Sequence, residues 1–159
     1  MNIDVLCVGK IKEKYLRDAI DEYSKRLSRY CRLNIIEVAD EKTVDEQGEA
    51  LDKKVRQAEG SRLIKYIKDD AYKISLEIEG KEVTSEELAD KINDLGIKGI
   101  SRIQFIIGGS LGLDEEVIGR ADMHLSFSRM TFPHQLMRVI LLEQIYRSYR
   151  IINNEPYHK

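Results

Sequence analysis

Asn2 to Val8 is an apolar run interrupted only by Asp4 and closed by Gly9, the pattern of a buried strand. Ile11, Tyr15/Leu16, Ala19/Ile20, Tyr23, Leu27 and Tyr30 then recur at steps of three and four, which predicts an amphipathic helix of about five turns. Leu33 to Val38 reads as a second, partly buried strand. Residues 39–60 are acidic and poor in apolar side chains, with Val44, Ala50/Leu51, Val55 and Ala58 spaced for one helix face, so a mobile loop leading into a helix is expected. That helix should continue through Leu63, Ile64 and Ile67, with Gly60 a point of interruption. Tyr72, Ile74, Leu76 and Ile78 alternate with polar residues up to Gly80, a third strand. Thr84 and Glu87 have the spacing of a capping box ahead of a helix through Leu88, Ala89, Ile92 and Leu95. Ile103 to Ile107 is a continuous apolar strand, Leu113 to Gly119 a short helix, and Asp122 to Phe127 the last strand. Pro133 opens the final helix, which runs to about Ile152; proline is favoured at a first helical position, where its missing N–H has no partner to lose.

Strand and helix signals alternate throughout, so the fold class is α/β: one domain over residues 1–159, a mostly parallel sheet and helices on both faces. The apolar turn Val139-Ile140-Leu141-Leu142 has more hydrophobic surface than a one-sided helix needs, which predicts a homodimer.

Composition changes this picture little. No apolar stretch approaches the length of a membrane span, and the N-terminus lacks the basic start of a signal peptide. Cys7 and Cys31 are too few for a disulfide framework and fit reduced thiols in the cytoplasm. Three histidines without a cysteine cluster predict no metal. The net charge of −2 conceals segregation: residues 9–32 carry eight Lys and Arg against four acids. Residues 129–159 add Arg129, Arg138, Arg147, Arg150 and Lys159 against Glu143 and Glu155, so a near-neutral chain can still present a basic face to nucleic acid.

In open α/β sheets ligands bind at the carboxyl ends of the strands. Three strands here end in unusual loops, Glu77 to Gly80, Gly108 to Gly112 and Ser126 to Phe132, and the candidate site is placed there. The glycine loop matches neither the dinucleotide fingerprint nor the P-loop. Its glycines can serve only to turn the chain, or they can present backbone N–H and C=O groups to a purine edge or a phosphate. The stretch from Leu125 to Arg138 mixes Phe and Met with Ser, Arg, Thr and His, and no acid occurs between Asp122 and Glu143. That mixture suits a flat or thioether-bearing ligand. His134 and Arg138 lie four apart on one helix face, as a functional pair or as a solvated polar stripe. Ser126 and Ser128 lack the nucleophile-elbow context.

Several motifs, in order, carry a family resemblance: Val8-Gly9-Lys10, Leu76-Glu77-Ile78-Glu79-Gly80-Lys81, Phe105 to Gly112, Leu125 to Gln135, and the tail Glu155-Pro156-Tyr157-His158-Lys159. Over its whole length the chain resembles the ribosomal RNA large-subunit methyltransferase H family of the SPOUT class. The resemblance implies a homodimer and a C-terminal trefoil knot, with a knotted cofactor-binding part over about residues 70–159. Chain-topology rules alone would never suggest a threaded chain. It implies S-adenosylmethionine held by Leu76, Gly108, Phe127, Ser128, Arg129, Met130, Thr131 and Phe132, with no metal. The implied reaction is methylation of N3 of a pseudouridine in 23S ribosomal RNA, on assembled ribosomes.

Chemistry then gives roles to the polar pair: His134 as base for the N3 proton and Arg138 as stabiliser of developing negative charge. The resemblance adds Tyr157 and His158 of the tail to the catalytic or RNA site, across the dimer. Arg129, Arg147, Arg150 and the basic first helix become candidate phosphate contacts. Two other classes fit the alternation: a non-catalytic ribosome-binding factor and a flavodoxin-like nucleotide-binding oxidoreductase.

Overall fold

The computed structural model describes residues 1–42 and 48–159, so part of the loop expected after the second strand lies outside the described residues. The elements are β1 (Asn2–Val8), α1 (Lys14–Leu27), β2 (Arg32–Val38), α2 (Glu49–Ile64), β3 (Tyr72–Glu82), α3 (Ser85–Ile97), β4 (Arg102–Ile107), α4 (Glu115–Gly119), β5 (Met123–Ser126) and α5 (His134–Ile152). The five strands form one parallel sheet in the order β2-β1-β4-β3-β5.

Side chains alternate across the sheet and separate two cores. Ile3, Val5 and Cys7 of β1, with Ile103, Phe105 and Ile107 of β4, pack on the face covered by α1, α3 and α5. Leu6, Val8 and Ile106 point the other way, against Leu63 of α2 and Val117 of α4. Helices therefore lie on both faces, as the alternation requires. On the α2 face Asp4 is buried but accepts from Asn34, Gln104 and Arg102 at 2.7–3.0 Å. Burial opposes its ionisation, and these donors outweigh it, holding the carboxyl below its usual range.

Three elements differ from the sequence expectation. α1 starts only at Lys14 because Ile11 is buried ahead of it, its N–H bound to Glu37 (3.2 Å). α2 passes through Gly60 without a break. β3 does not stop at Gly80. It leaves register after Leu76 and resumes pairing at Lys81, so Leu125 of β5 faces both Leu76 and Lys81. The intervening segment crosses β5 so closely that a Cβ on Gly80 would lie 2.8–2.9 Å from the backbone of His124 and Leu125. The capping box forms as expected, with Glu87 N–H donating to Thr84 Oγ1 at 3.1 Å and Thr84 N–H donating to Glu87 at 2.8 Å. No helix among the described residues is long and apolar enough to cross a membrane.

Candidate functional site

Because β4, β3 and β5 are parallel neighbours, the Gly108 loop, the irregular Glu77–Gly80 segment within β3 and residues 126–132 lie at the same end of the sheet. The glycine loop is tightly folded. Gly112 N–H donates to Gly109 C=O at 3.1 Å, and Gly112 adopts φ 85°. A Cβ on Gly108 would sit 2.5 Å from the carbonyl carbon of Gly112 and 2.9 Å from Leu113 N. Only glycine lets these two backbone segments touch, so the loop is built for close approach rather than for turning alone.

Beside it, residues 126–132 leave β5 in a turn held by its own serines. Ser126 Oγ donates to Ser128 C=O and Met130 N–H donates to Ser128 Oγ, each at 3.0 Å. Phe127 and Phe132 are half-buried, Thr131 is exposed, and Met130 is 73% exposed. Arg129 is almost fully solvated, its nearest acid being Glu82 at 3.9 Å. Leu76, half-buried, ends the first in-register stretch of β3. Seven of the eight candidate cofactor residues thus lie on the exits of β4 and β5, and Leu76 lies within β3 between them.

Pro133 delivers His134 into the first turn of α5. His134 is half-buried, and burial together with the Arg138 charge lowers its pKa below the ordinary 6.5, against a weaker opposing effect of Asp40. Arg138 is not a solvated stripe residue; it is 1% exposed. Its Nη2 donates to Val8 C=O (2.6 Å) and Gly9 C=O (2.7 Å), and its Nη1 to Glu37 (2.8 Å). Glu37 also accepts from Ile11 N–H. The guanidinium therefore ties the exits of β1 and β2 to α5, leaving only Nε buried without a partner. Its geometry is that of an anchor behind His134.

A second polar group was not anticipated. Ser75 and Glu77 share one face of β3, and Ser75 is the register partner of His124 on β5. Glu77 accepts from Ser75 Oγ and from His124 Nδ1–H, both at 2.5 Å. This cross-strand clasp closes β3 onto β5 one residue before the register breaks. In sequence Ser75 and Glu77 read as the ordinary polar face of an alternating strand, beside Lys73 and Glu79, which hides the clasp.

The tail does not reach His134 within this chain. Tyr157 OH donates to Glu143 at 3.0 Å, under the Arg147 guanidinium. Burial, and then that bond, raise its pKa to about 12, so it remains a donor at neutral pH. His158 Nδ1 accepts from Arg147 at 3.1 Å and its Nε2–H donates to Glu86 at 2.7 Å. Glu143 is nine residues beyond His134, about 14 Å along the helix axis. Arg147 and Arg150 are likewise occupied, by Glu143 and by Glu155, which removes both as free phosphate contacts in this arrangement. Among the described residues no group of three or more His, Cys, Asp or Glu is placed to hold a metal ion.

Comparison with known proteins decides the family. A family model described as predicted SPOUT methyltransferase matches residues 1–158. The chain belongs to the SPOUT methyltransferases. It is 65% identical over 159 residues, covering all of both chains, to "Ribosomal RNA large subunit methyltransferase H" of Bifidobacterium adolescentis. It is 62% identical, with the same coverage, to the protein of that name from Clostridium novyi. A solved structure from Haemophilus influenzae Rd KW20, described as "a probable methylase family protein", shares the fold with a TM-score of 0.57 at 15% identity. The match covers 99% of this chain and 70% of that one. Membership in the SPOUT family sets aside the flavodoxin-like alternative.

Proposed function

We propose that this SPOUT methyltransferase transfers the methyl group of S-adenosylmethionine to N3 of a pseudouridine in 23S ribosomal RNA. It acts on assembled ribosomes in the cytoplasm, as a homodimer with a trefoil knot. The observation that carries the reading is the meeting of Leu76, the Gly108 loop and residues 127–132 at one end of the sheet. The relatives named ribosomal RNA large subunit methyltransferase H, identical at nearly two positions in three over their full length, supply the substrate class.

The residues fit the co-substrate. Buried Gly108 lets the loop fold back on itself, and exposed Gly112 presents its backbone where no side chain intrudes, which suits a purine edge. Phe127, Phe132 and Met130 offer aromatic and thioether surface to a sulfonium, without a competing carboxylate between Asp122 and Glu143. S-adenosylmethionine supplies the methyl group and its own leaving group, so the chain has to bind, orient and exclude water. The N3–H bond of the base must break as the N–C bond forms, and His134 takes that proton. Arg138 holds His134 and the β1 exit in place. The crossing of residues 77–80 over β5 supports the knot. Met130, Leu136 (37% exposed) and the half-buried Val139 and Ile140 leave an apolar strip beside the site that supports the homodimer.

With His134 neutral at pH 7, methyl transfer is expected to be flat through neutral pH and to fall only below the ordinary imidazole value of 6.5. In His134→Gln that acid limb should vanish along with most of the rate, about 10²–10⁴-fold. A single-turnover pH profile checks this; an unchanged limb in the variant assigns the base elsewhere.

Tyr157 and His158 lie far from His134 in their own chain, so their contribution comes across the dimer. Deleting residues 156–159 should leave calorimetric binding of S-adenosylmethionine within about threefold and cut transfer by about a hundredfold or more. Equal losses in both would make the tail structural, and no binding by the wild type would sink the co-substrate reading. Lys10 and Lys12, exposed beside the Gly9 exit and unpaired among the described residues, replace Arg147 and Arg150 as the phosphate contacts, alongside Arg129. The salt dependence of ribosome binding measures them.

A further inference from the structure

One turn of α2 is fitted closely to the glycine loop. Gly60 is buried under the loop's far end: a Cβ there would lie 2.8 Å from Asp114 Cβ and 3.3 Å from Val117 Cγ2. The glycine that sequence marks as a weak point of the helix is thus the place where α2 must approach closely. Its neighbour Glu59 is a carboxylate only 4% exposed. Both its oxygens stand against the loop's near end, 3.1 and 3.2 Å from where a Cβ on Gly109 would be. Glu59 Oε2 also accepts from Glu41 N–H at 3.1 Å. Arg62, one turn on, donates to Ala39 C=O at 2.9 Å and pairs with Glu41 at 2.5 Å. The same turn therefore grips the exit of β2, which carries Asp40 towards Gly9 and His134, and supports both ends of the Gly108–Asp114 loop.

We propose that Glu59 and Gly60 are the positioning element of the co-substrate loop, with the Glu59 side chain setting the height of Gly109 and hence of Gly108. The inference rests on the S-adenosylmethionine reading of that loop. A purely structural residue at this point would better be apolar, since a buried carboxyl is costly. Burial pushes the Glu59 pKa up, the Glu41 N–H opposes this, Asp40 and Glu41 add to it and Arg62 reduces it; Asp114 faces the same turn across Gly60. A carboxyl whose folded pKa is raised favours the fold below its ordinary 4.5 and costs stability as pH rises through the folded value. Glu59→Gln, which keeps length and the acceptor for Glu41 N–H, should therefore melt no lower than the wild type at pH 7.

The test separates length from charge. Calorimetry with S-adenosylmethionine and steady-state transfer to ribosomes are measured for the wild type, Glu59→Gln, Glu59→Asp and Gly60→Ala. The shortened Asp and the wedge of Ala should each raise Kd and KM for S-adenosylmethionine by about tenfold or more, with kcat at saturation within about threefold. Glu59→Gln should stay within about threefold on every constant. Wild-type Kd in both Glu59→Asp and Gly60→Ala would overturn the proposal, as would loss of the folded state in both, which would make the turn structural only. If the wild type itself fails to bind S-adenosylmethionine, the functional reading falls instead.

Discussion

Arg138→Ala should destabilise the fold by about 2–4 kcal/mol, because two buried carbonyls lose a charged donor while Glu37, whose side chain is 34% exposed, can turn to water. The substitution strips Val8 C=O and Gly9 C=O of their donor and leaves Glu37 with only the Ile11 N–H. Arg138→Lys should recover little. A single ammonium cannot place donors on two successive carbonyls and a carboxylate in the geometry of a planar fork. Urea titration at neutral pH reads both variants, and a loss below about 1 kcal/mol for Arg138→Ala would show that water replaces the guanidinium freely. Methyl transfer should fail in both, because Gly9, Glu37 and His134 lose their common anchor. In a partly restoring variant, a normal single-turnover rate would refute the link between anchor and base.

Gly108→Ala is expected to abolish S-adenosylmethionine binding, weakening it by about a hundredfold or more, while costing about 1–3 kcal/mol of stability. Its Cβ would press on the backbone of Gly112 and Leu113, and neither can yield without opening the turn. Gly119→Ala is the matched control. It meets nothing within 4 Å at the end of α4 and should melt at or slightly above the wild type. Equal binding by wild type and Gly108→Ala in calorimetry would remove the glycine loop from the co-substrate site.

What could be read along the chain follows from how local its causes are. The capping box at Thr84 and Glu87 spans three residues and was legible; Pro133 marked the start of α5 to within one residue, standing at the N-cap (ψ 131°) rather than at the expected first helical position. The parallel sheet followed from alternation alone. The second half of β3 was not legible, because its pairing resumes only against Leu125 and Ser126, more than forty residues away. Gly60 looked like a helix break because its reason, Asp114, belongs to another element. Arg138 could be placed on a face with His134 but not buried, since its acceptors lie 101 to 130 residues earlier. The traces that sequence did leave were acids inside apolar strands, Asp4 and Glu37. Each is there because a distant arginine is folded onto it.

The account is tested most directly by incubating the protein with methyl-labelled S-adenosylmethionine and, separately, free ribosomal RNA, large subunits and whole ribosomes. The labelled nucleotide is then mapped. A single labelled pseudouridine in 23S RNA, methylated at N3 and most strongly on whole ribosomes, is the predicted result. No transfer to any of the three acceptors, from protein that binds ribosomes normally, would contradict it and leave a ribosome-binding factor in its place.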